Sequence, residues 1–317
     1  MLLKSCCFFS SLLKITISLQ SFFKILLRNV FPKEPVPPVI NSFLFLNYRN
    51  DLKIPNYLES EFEAQIEKVT NDINYKASVK LFNYALKNKV RKFIFASSCS
   101  SYGFGGKTAK TENSKINPLT AYAKSKVKFE KYLSKNKNKG IEIIILRFAT
   151  ACGDSPRLRL DLVLNDFVYS AVKENKIIIK SNGKPLRPLI DVEDMCQIIN
   201  WSIKRKKKSF LLVNAGSNEN NYSVKEIAEK VKEVLGNKVK ILLNDKLPDD
   251  KRSYKVNFNK LNYNFKGFKP RHLKQTILKL KKSVQIIVKS KHKKADLIRL
   301  SYLGVLIKNI KLSSQLI

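Results

Sequence analysis

The chain has 317 residues, of which 44% are hydrophobic, so it is long enough to bury a substantial core as one large α/β domain or two closely packed ones. Lys and Arg outnumber Asp and Glu by 61 to 25, which gives a formal net charge of +36. The lysines are spread along the whole chain without an aromatic RNA-reading motif, which argues against a nucleic-acid-binding protein. The cysteines lack metal-ligand spacing and indicate a reducing cytoplasm, and both histidines lie in a basic tail, away from any metal-site pattern.

Residues 1–58 differ in character from the rest of the chain. Their first half is rich in Leu, Phe, Ile and Ser, but Lys4, Lys14 and Lys24 divide it into apolar runs shorter than the about 20 residues that a bilayer span needs. The spacing of these lysines puts them on different faces of a helix, which gives little support to a peripheral amphipathic helix. Prolines between positions 32 and 38 interrupt regular structure. We expect this segment to pack poorly against the remainder.

The next informative elements are a strand and a helix. Phe93–Ala96 is a short apolar run typical of a buried parallel strand, and Thr120–Leu133 has apolar residues at helical spacing. Ser98 ends the strand, while Tyr122 and Lys126 are four residues apart and share a helix face. A serine at the carboxyl end of a strand, facing a tyrosine on the next helix, is typical of an α/β active site. The set predicts hydride-transfer chemistry at a substrate alcohol.

Later elements continue the alternation of strands and helices. Phe210–Asn214 reads as a short strand, and Lys238–Leu243 as another. Between them, Ser223 and Glu226 form a capping box that opens a helix, and Gly236 closes it. No internal repeat or low-complexity linker is visible, so the substrate-binding part is predicted to belong to the same globule.

The end of the chain is strongly basic, with no acidic residue from Lys251 to Ala295. Apolar residues recur through Leu273–Val288 with lysines between them, which predicts an amphipathic helix. A solvated helix face is the simpler interpretation of the lysines, and attraction to a membrane surface is the functional alternative.

Several segments, in order along the chain, resemble the extended short-chain dehydrogenase/reductase family, in its branch of nucleotide-sugar epimerases and dehydratases. The segments that carry the resemblance are Asn71–Ser78 with Asn74 as a structural asparagine, Phe93–Gly103, Tyr122–Lys126, Glu142–Thr150, Ser155–Asp161, Arg187–Asp194 and Asp250–Tyr254. The resemblance runs from about residue 60 nearly to the end. It implies an α/β fold, with a Rossmann-like parallel sheet covered by helices on both faces and a small C-terminal substrate lobe.

The resemblance also implies a division of the chain. Residues 1–58 would be a divergent segment, and residues 59–317 would form the family domain. Within that domain, residues 59–160 would supply the catalytic part of the sheet. Residues 161–317 would supply mainly the substrate lobe and basic C-terminal helices.

The resemblance further implies NAD as cofactor, a nucleotide-diphosphate sugar as substrate and a homodimer. Tyr122, as phenolate, would remove the proton of a sugar hydroxyl, and Lys126 would lower the tyrosine pKa and hold the cofactor ribose. Ser98 would hydrogen-bond the same oxygen as it becomes a carbonyl. The implied substrate-binding residues are Ser98, Thr150, Asn165, Arg187 and Arg252. The two arginines would pair with the diphosphate.

The type of reaction can be narrowed further. In the 4,6-dehydratase branch, an Asp-Glu pair follows the catalytic hydroxyl residue, whereas here the two positions are Cys99 and Ser100. Neither side chain can supply the acid and base for eliminating water at neutral pH, which favours an epimerase or a 4-ketoreductase. Thr150 stands where many relatives carry a substrate-contacting asparagine, so the sequence does not predict the identity of the sugar.

The beginning of the chain departs from the family pattern. The family opens with a strand, a glycine-rich turn and a helix that hold the cofactor pyrophosphate, but no glycine precedes Gly103 here. Three explanations compete: a membrane or targeting segment, a diverged Rossmann half, or a truncated or frame-disrupted gene, which we favour. Two functions follow, an active NAD-dependent epimerase or a cofactor-deficient relative that binds sugar nucleotides without turnover.

We expect the chain to bind NAD weakly or not at all. Contacts of Tyr122 and Lys126 with the ribose and nicotinamide end cannot replace backbone contacts with the pyrophosphate. Calorimetric titration of the purified chain with NAD measures this, and restoring a glycine-rich βαβ unit should recover binding. A micromolar dissociation constant for the chain as it stands would show that residues 1–58 build a phosphate site.

Overall fold

The computed structural model describes residues 67–106, 108–156, 158–207, 209–244 and 252–290. Residues 1–58, predicted to be divergent, lie outside this part. The helices and strands, in chain order, are α1 (Ala77–Lys87), β1 (Lys92–Ser98), α2 (Ala121–Lys135), β2 (Glu142–Phe148), β3 (Thr150–Cys152), α3 (Val163–Glu174), β4 (Lys176–Ile179), β5 (Leu186–Asp191), α4 (Val192–Lys204), β6 (Leu211–Ala215), β7 (Asn221–Ser223), α5 (Val224–Leu235), β8 (Lys240–Leu243), α6 (Asn259–Asn264) and α7 (Leu273–Lys289). Among these residues, no helix is both long and apolar enough to cross a membrane.

A parallel sheet of order β1-β2-β6 lies at the centre. Every residue of β2 is buried, as expected for a central parallel strand covered on both faces. One face packs on α1 and α2 through a cluster that includes Phe82, Phe95 and Phe129. The other face packs on α4 and α6 through a cluster that includes Ile198 and Leu261. The predicted α/β architecture, with helices on both faces of a parallel sheet, is confirmed.

Two smaller sheets complete the fold. In one, β3 runs parallel to β5, and β7 pairs antiparallel with β5; in the other, β4 and β8 are parallel. Helices α3, α5 and α7 enclose a separate apolar cluster with β4, which includes Leu164, Ile177, Ile227 and Ile277. The strands predicted at residues 210–214 and 238–243 correspond to β6 and β8.

The capping signals predicted from the sequence are confirmed. Ser223 Oγ accepts the backbone N–H of Glu226 at 3.1 Å, and Glu226 Oε2 accepts the backbone N–H of Ser223 at 2.6 Å. These two bonds satisfy amides at the start of α5 that have no partner within the helix. Gly236 ends the helix with a φ of +110°, a conformation that side-chain-bearing residues rarely adopt.

Lys92, the first residue of β1, holds the far end of α4. Its Nζ donates to the backbone oxygens of Ser202, Ile203 and Arg205 at 2.9, 2.8 and 2.6 Å. Carbonyls at a helix C-terminus lack intrahelical partners, and a cation there also interacts favourably with the helix dipole. The contact therefore ties the start of the sheet to a helix that lies more than a hundred residues later.

A buried ion pair joins α2 to β2. Arg147 donates from Nε to Glu130 Oε1 at 3.0 Å and from Nη2 to Glu130 Oε2 at 2.6 Å, and both residues are less than 5% exposed. Ser97 Oγ donates to the same carboxylate at 2.5 Å, while Arg147 Nη1 donates to Tyr102 Oη at 3.1 Å. Tyr102 donates in turn to Asn214 Oδ1 at 2.7 Å. Burial disfavours the charged guanidinium, but hydrogen bonds and the charge of Glu130 raise the pKa of Arg147 above its usual range.

We expect Arg147→Met to lower the free energy of unfolding by about 3–5 kcal/mol, because it leaves the Glu130 carboxylate buried without its cation. The double variant with Glu130→Gln should lose less than the sum of the two single losses. Urea denaturation of the parent and the three variants measures both effects. Strictly additive losses would show that the pair is not coupled.

Candidate active site

Ser98 lies at the carboxyl end of β1, where the strand turns into a short 3-10 helix over Cys99–Tyr102. Its Oγ accepts the backbone N–H of Ser100 at 3.1 Å and so caps that turn. The residue is half-buried. In register, Ser98 pairs with Phe148 of β2, which places the serine at the edge where the parallel strands end together. This is the edge at which α/β proteins place ligands.

Tyr122 and Lys126 lie in the first two turns of α2, which begins at Thr120, whose hydroxyl accepts the backbone N–H of Ala123. Lys126 Nζ is 5.6 Å from the centroid of the Tyr122 ring and donates to the backbone oxygen of Ala96 at 2.9 Å. The structure therefore brings Lys126 both to the phenol ring and to the strand that ends in Ser98. Direct proximity of Ser98 Oγ and Tyr122 Oη stays a prediction.

The Lys126 amine has an altered acidity. Burial lowers its pKa to about 8, and the Glu130 carboxylate one turn later acts in the opposite direction. Nζ also lies 4.8 Å from the centroid of the Phe95 ring, which helps to keep water away from it. A lysine whose pKa lies close to neutral pH is suited to sharing a proton with a nearby phenol.

Asn74 lies in a π-helical turn, Asp72–Lys76, that leads into α1. Its Nδ2 donates to Ser125 Oγ at 3.2 Å, and Ser125 Oγ donates to the backbone oxygen of Tyr122 at 2.8 Å. Local π-helical turns are frequent at functional sites because they re-aim side chains. The asparagine expected to be structural therefore contacts the helical turn that carries Tyr122.

Arg187 and Arg252, which are far apart in the sequence, lie together. Arg187, in β5, donates from Nη1 to the backbone oxygen of Arg252 and, at 2.9 Å, to that of Leu186. Both arginines are half-buried. The guanidinium of Arg187 is therefore held against the backbone of Arg252, and the pairing of the two arginines with phosphate oxygens stays a prediction.

The loop that follows Ser98 connects these arginines with the strand edge. Gly105 N donates to the backbone oxygen of Ser253 at 2.7 Å, and Ser253 N donates to that of Gly103 at 3.1 Å. Ser253 Oγ in turn accepts the backbone N–H of Leu186 at 3.0 Å. The segment after Ser98 is thus hydrogen-bonded beside Arg252 and beside the strand that holds Arg187.

Thr150 and Asn165 have different surroundings. Thr150 is half-buried at the start of β3 and pairs with Leu189, in the strand that carries Arg187. Asn165 is only 2% exposed: its Oδ1 accepts the backbone N–H of Gly153 at 2.9 Å, and its Nδ2 donates to the backbone oxygen of Arg159 at 3.0 Å. Asn165 therefore orders the loop between these residues, and its contact with a substrate stays a prediction.

The two residues after Ser98 carry little acid-base capacity. Cys99 is fully buried, its Sγ donates to the backbone oxygen of Arg147, and burial raises the pKa of the thiol. Ser100 Oγ is buried and has no hydrogen-bond partner among the described residues. These surroundings support the interpretation that neither residue drives elimination of water. Within the same residues, no group of His, Cys, Asp and Glu side chains could hold a metal ion.

Two glycines of the loop after Ser98 are packed against protein atoms. A Cβ at Gly103, whose φ is +59°, would lie 1.8 Å from the backbone oxygen of Asn117, and one at Gly105 would lie 2.8 Å from Tyr254 Cβ. These two glycines therefore allow close packing of loops and do not form a cradle for a pyrophosphate. Contacts of Tyr122 and Lys126 with the nicotinamide-ribose end of NAD stay a prediction.

Three contributions to the site could not be found in the sequence: the Ala96 carbonyl, the Phe95 ring beside Lys126, and the link through Ser253. A backbone oxygen leaves no trace in the sequence, and an apolar ring in a strand looks the same whether it shields an amine or fills a core.

Comparison with known proteins identifies a family and individual proteins that this chain is similar to. The model of the NAD dependent epimerase/dehydratase family matches residues 60–216. A putative UDP-glucose 4-epimerase from Methanocaldococcus jannaschii is 28% identical over 204 residues, which cover 63% of this chain and 62% of that protein. An ADP-L-glycero-D-manno-heptose-6-epimerase from Brachyspira hyodysenteriae is 29% identical over 167 residues, which cover 51% of this chain and 52% of that protein. The chain thus spans about half to three fifths of the length of such curated relatives.

Solved structures agree on the fold. MoeE5, solved with UDP-glucuronic acid and NAD, is 20% identical with a TM-score of 0.59, covering 68% of this chain and 71% of that one. A UDP-N-acetylglucosamine 4-epimerase from Methanobrevibacter ruminantium is 23% identical with a TM-score of 0.58, covering 69% of each chain. Through residues 60–216, just under half of its length, the chain thus matches the NAD dependent epimerase/dehydratase family.

Proposed function

We propose that this chain is the catalytic and substrate-binding part of an NAD-dependent nucleotide-sugar epimerase, or of a 4-ketoreductase, that acts by transient hydride transfer at a sugar hydroxyl. The observation that carries the proposal is the position of Lys126 Nζ, beside the Tyr122 ring and hydrogen-bonded to the strand that ends in Ser98. The names of its curated relatives, among them UDP-glucose 4-epimerases, support the same class of reaction.

In this reaction Tyr122 is the general base. Its phenolate takes the proton of the sugar hydroxyl, and the positive charge of Lys126 favours the phenolate over the neutral phenol. Ser98 Oγ donates a hydrogen bond to the sugar oxygen while that oxygen becomes a carbonyl. When the sugar is reduced again, Tyr122 returns the proton to the same oxygen, so the protein ends each turnover in its starting state.

NAD, when bound, supplies the acceptor and later the donor of the hydride. Tyr122 and Lys126 would hold its nicotinamide-ribose end at the strand edge. Gly103 and Gly105 are packed against protein atoms, so the pyrophosphate half would have to be held elsewhere in the chain. The lack of any glycine before Gly103 favours a second candidate: a cofactor-deficient relative that binds a sugar nucleotide without turning it over.

For the substrate, we propose a nucleotide-diphosphate sugar. Arg187, at the start of β5, contacts the backbone of Arg252, and these two arginines would hold the diphosphate, while Thr150 pairs with the same strand. In this proposal residues 59–160 contribute the acid-base groups, and residues 161–317 contribute most of the substrate contacts.

Turnover is the direct test of the proposal. If the first candidate is correct, the chain with NAD present interconverts UDP-glucose and UDP-galactose, and Tyr122→Phe lowers kcat about 10²–10⁴-fold, because it removes the general base. Tyr263→Phe is the matched control, since Tyr263 is 80% exposed on α6. Coupled detection of UDP-galactose formation measures the rates.

Binding of UDP-glucose, measured by calorimetry, separates the two candidates. Binding that depends on Arg187 and Arg252 but comes without turnover would select the cofactor-deficient relative. Equal rates for the parent and Tyr122→Phe would remove the catalytic assignment altogether.

The lowered pKa of Lys126 predicts a dependence of stability on pH. Its folded-state pKa is about 8 and the ordinary value is 10.5, so between these values the unfolded chain keeps a proton that the folded chain has lost. This difference stabilises the folded parent as the pH rises through that window. Relative to Lys126→Met, the parent should therefore gain unfolding free energy between neutral pH and pH about 10.

Urea denaturation of both proteins across this range measures the effect, with Lys128→Met, an exposed lysine of the same helix, as the matched control. A stability difference that stays flat with pH would show that Lys126 titrates as an ordinary lysine.

A further inference from the structure

The outward face of α7 is a second feature, separate from the candidate active site. The inward face of this helix is formed by Leu273, Thr276, Ile277, Leu280 and Val284, which are all buried. Among the exposed or half-buried residues outside this buried stripe are Lys274, Leu278, Lys281, Lys282, Gln285, Ile286, Val288 and Lys289. We call these eight residues the α7 outer face.

The charge of the α7 outer face is of one sign. No Asp or Glu occurs in residues 252–290. On neighbouring helices, Glu193 binds Lys279, and Glu233, which binds Lys230, also interacts electrostatically with Lys274. None of the ion pairs within the described residues involves Lys281, Lys282 or Lys289. Uncompensated lysines along one helix attract an extended anionic surface.

Exposed aliphatic side chains lie among these lysines. Ile286 is 71% exposed, Leu278 is 40% exposed and Val288 is 37% exposed. The α7 outer face contains neither arginine nor an aromatic ring, the side chains that nucleic-acid surfaces use for base contacts and stacking. Aliphatic side chains between lysines are instead the composition with which a helix lies at a lipid headgroup boundary.

We propose that the α7 outer face binds the surface of anionic lipid membranes. The lysines approach the headgroups while Ile286, with Leu278, enters the boundary with the acyl chains. This inference does not depend on the proposed enzymatic activity. Helix α2 offers an internal comparison: Lys128, Lys131 and Lys135 are exposed there, but none of its large aliphatic side chains is.

The test is flotation of the full chain with vesicles of phosphatidylcholine containing about a third phosphatidylserine. Replacing Lys281, Lys282 and Lys289 by Gln should raise the lipid concentration needed for half-binding by about 10-fold or more. The same change at Lys128, Lys131 and Lys135 removes equal charge. It should alter the lipid concentration needed for half-binding by less than about 3-fold. Thermal unfolding of both triple variants checks that they remain folded.

Salt separates the electrostatic contribution of the lysines to membrane binding from the apolar contribution of Ile286. For the parent, a fraction of the binding should persist at about 0.5 M salt, and Ile286→Ser should abolish that fraction while leaving most of the low-salt binding. Equal losses for the two triple variants would overturn the proposal, because binding would then follow net charge alone. Failure of the parent to float would also overturn it. The proposal would also be overturned if the Gln replacements at Lys281, Lys282 and Lys289 weakened binding of an RNA oligonucleotide more strongly than they weakened binding of vesicles.

Discussion

The ion pair between Glu130 and Arg147 is the interaction on which the candidate site depends. Glu130 is four residues after Lys126 in α2, so the helix that carries Tyr122 and Lys126 is anchored one turn away by a buried carboxylate. The same carboxylate holds Ser97, the neighbour of Ser98, and Arg147 holds Tyr102 at the end of the turn that Ser98 begins. One network therefore fixes the helix and brackets the serine turn on both sides, which is the pre-organisation that acid-base chemistry requires.

This network also has an electrostatic consequence for the amine beside it. The negative charge of Glu130 supports the protonated form of Lys126, while burial opposes it, and burial is the larger effect. Arg147 neutralises much of the carboxylate, which limits how far Glu130 can restore the ordinary acidity of the lysine. The pKa of Lys126 is thus lowered mainly by burial, with Glu130 acting against it.

Features with a local pattern could be predicted from the sequence. The apolar run of β1, the helix that carries Tyr122 and Lys126, and the Ser223 capping box all depend on residues within a few positions of each other. The contacts that assemble the site are of another kind. Lys126 binds the carbonyl of Ala96, Arg187 binds that of Arg252, and Asn165 binds backbone groups of a loop. Backbone acceptors are alike at every position, so such partners could only be found in the folded chain.

The hydrogen bonds between Lys92 and the end of α4 affect how the chain assembles during synthesis. The first strand of the central sheet emerges from the ribosome well before the carbonyls of Ser202, Ile203 and Arg205 that it binds, and before β6, which completes the other edge of β2. Contacts between residues so distant in sequence form slowly, because a long loop must close first. The Lys92 amine therefore lacks these carbonyl partners until more than a hundred further residues have been made, although its strand can pair with β2 before then. Until β6 is made, the other edge of β2 stays open, and an open strand edge can pair with another chain.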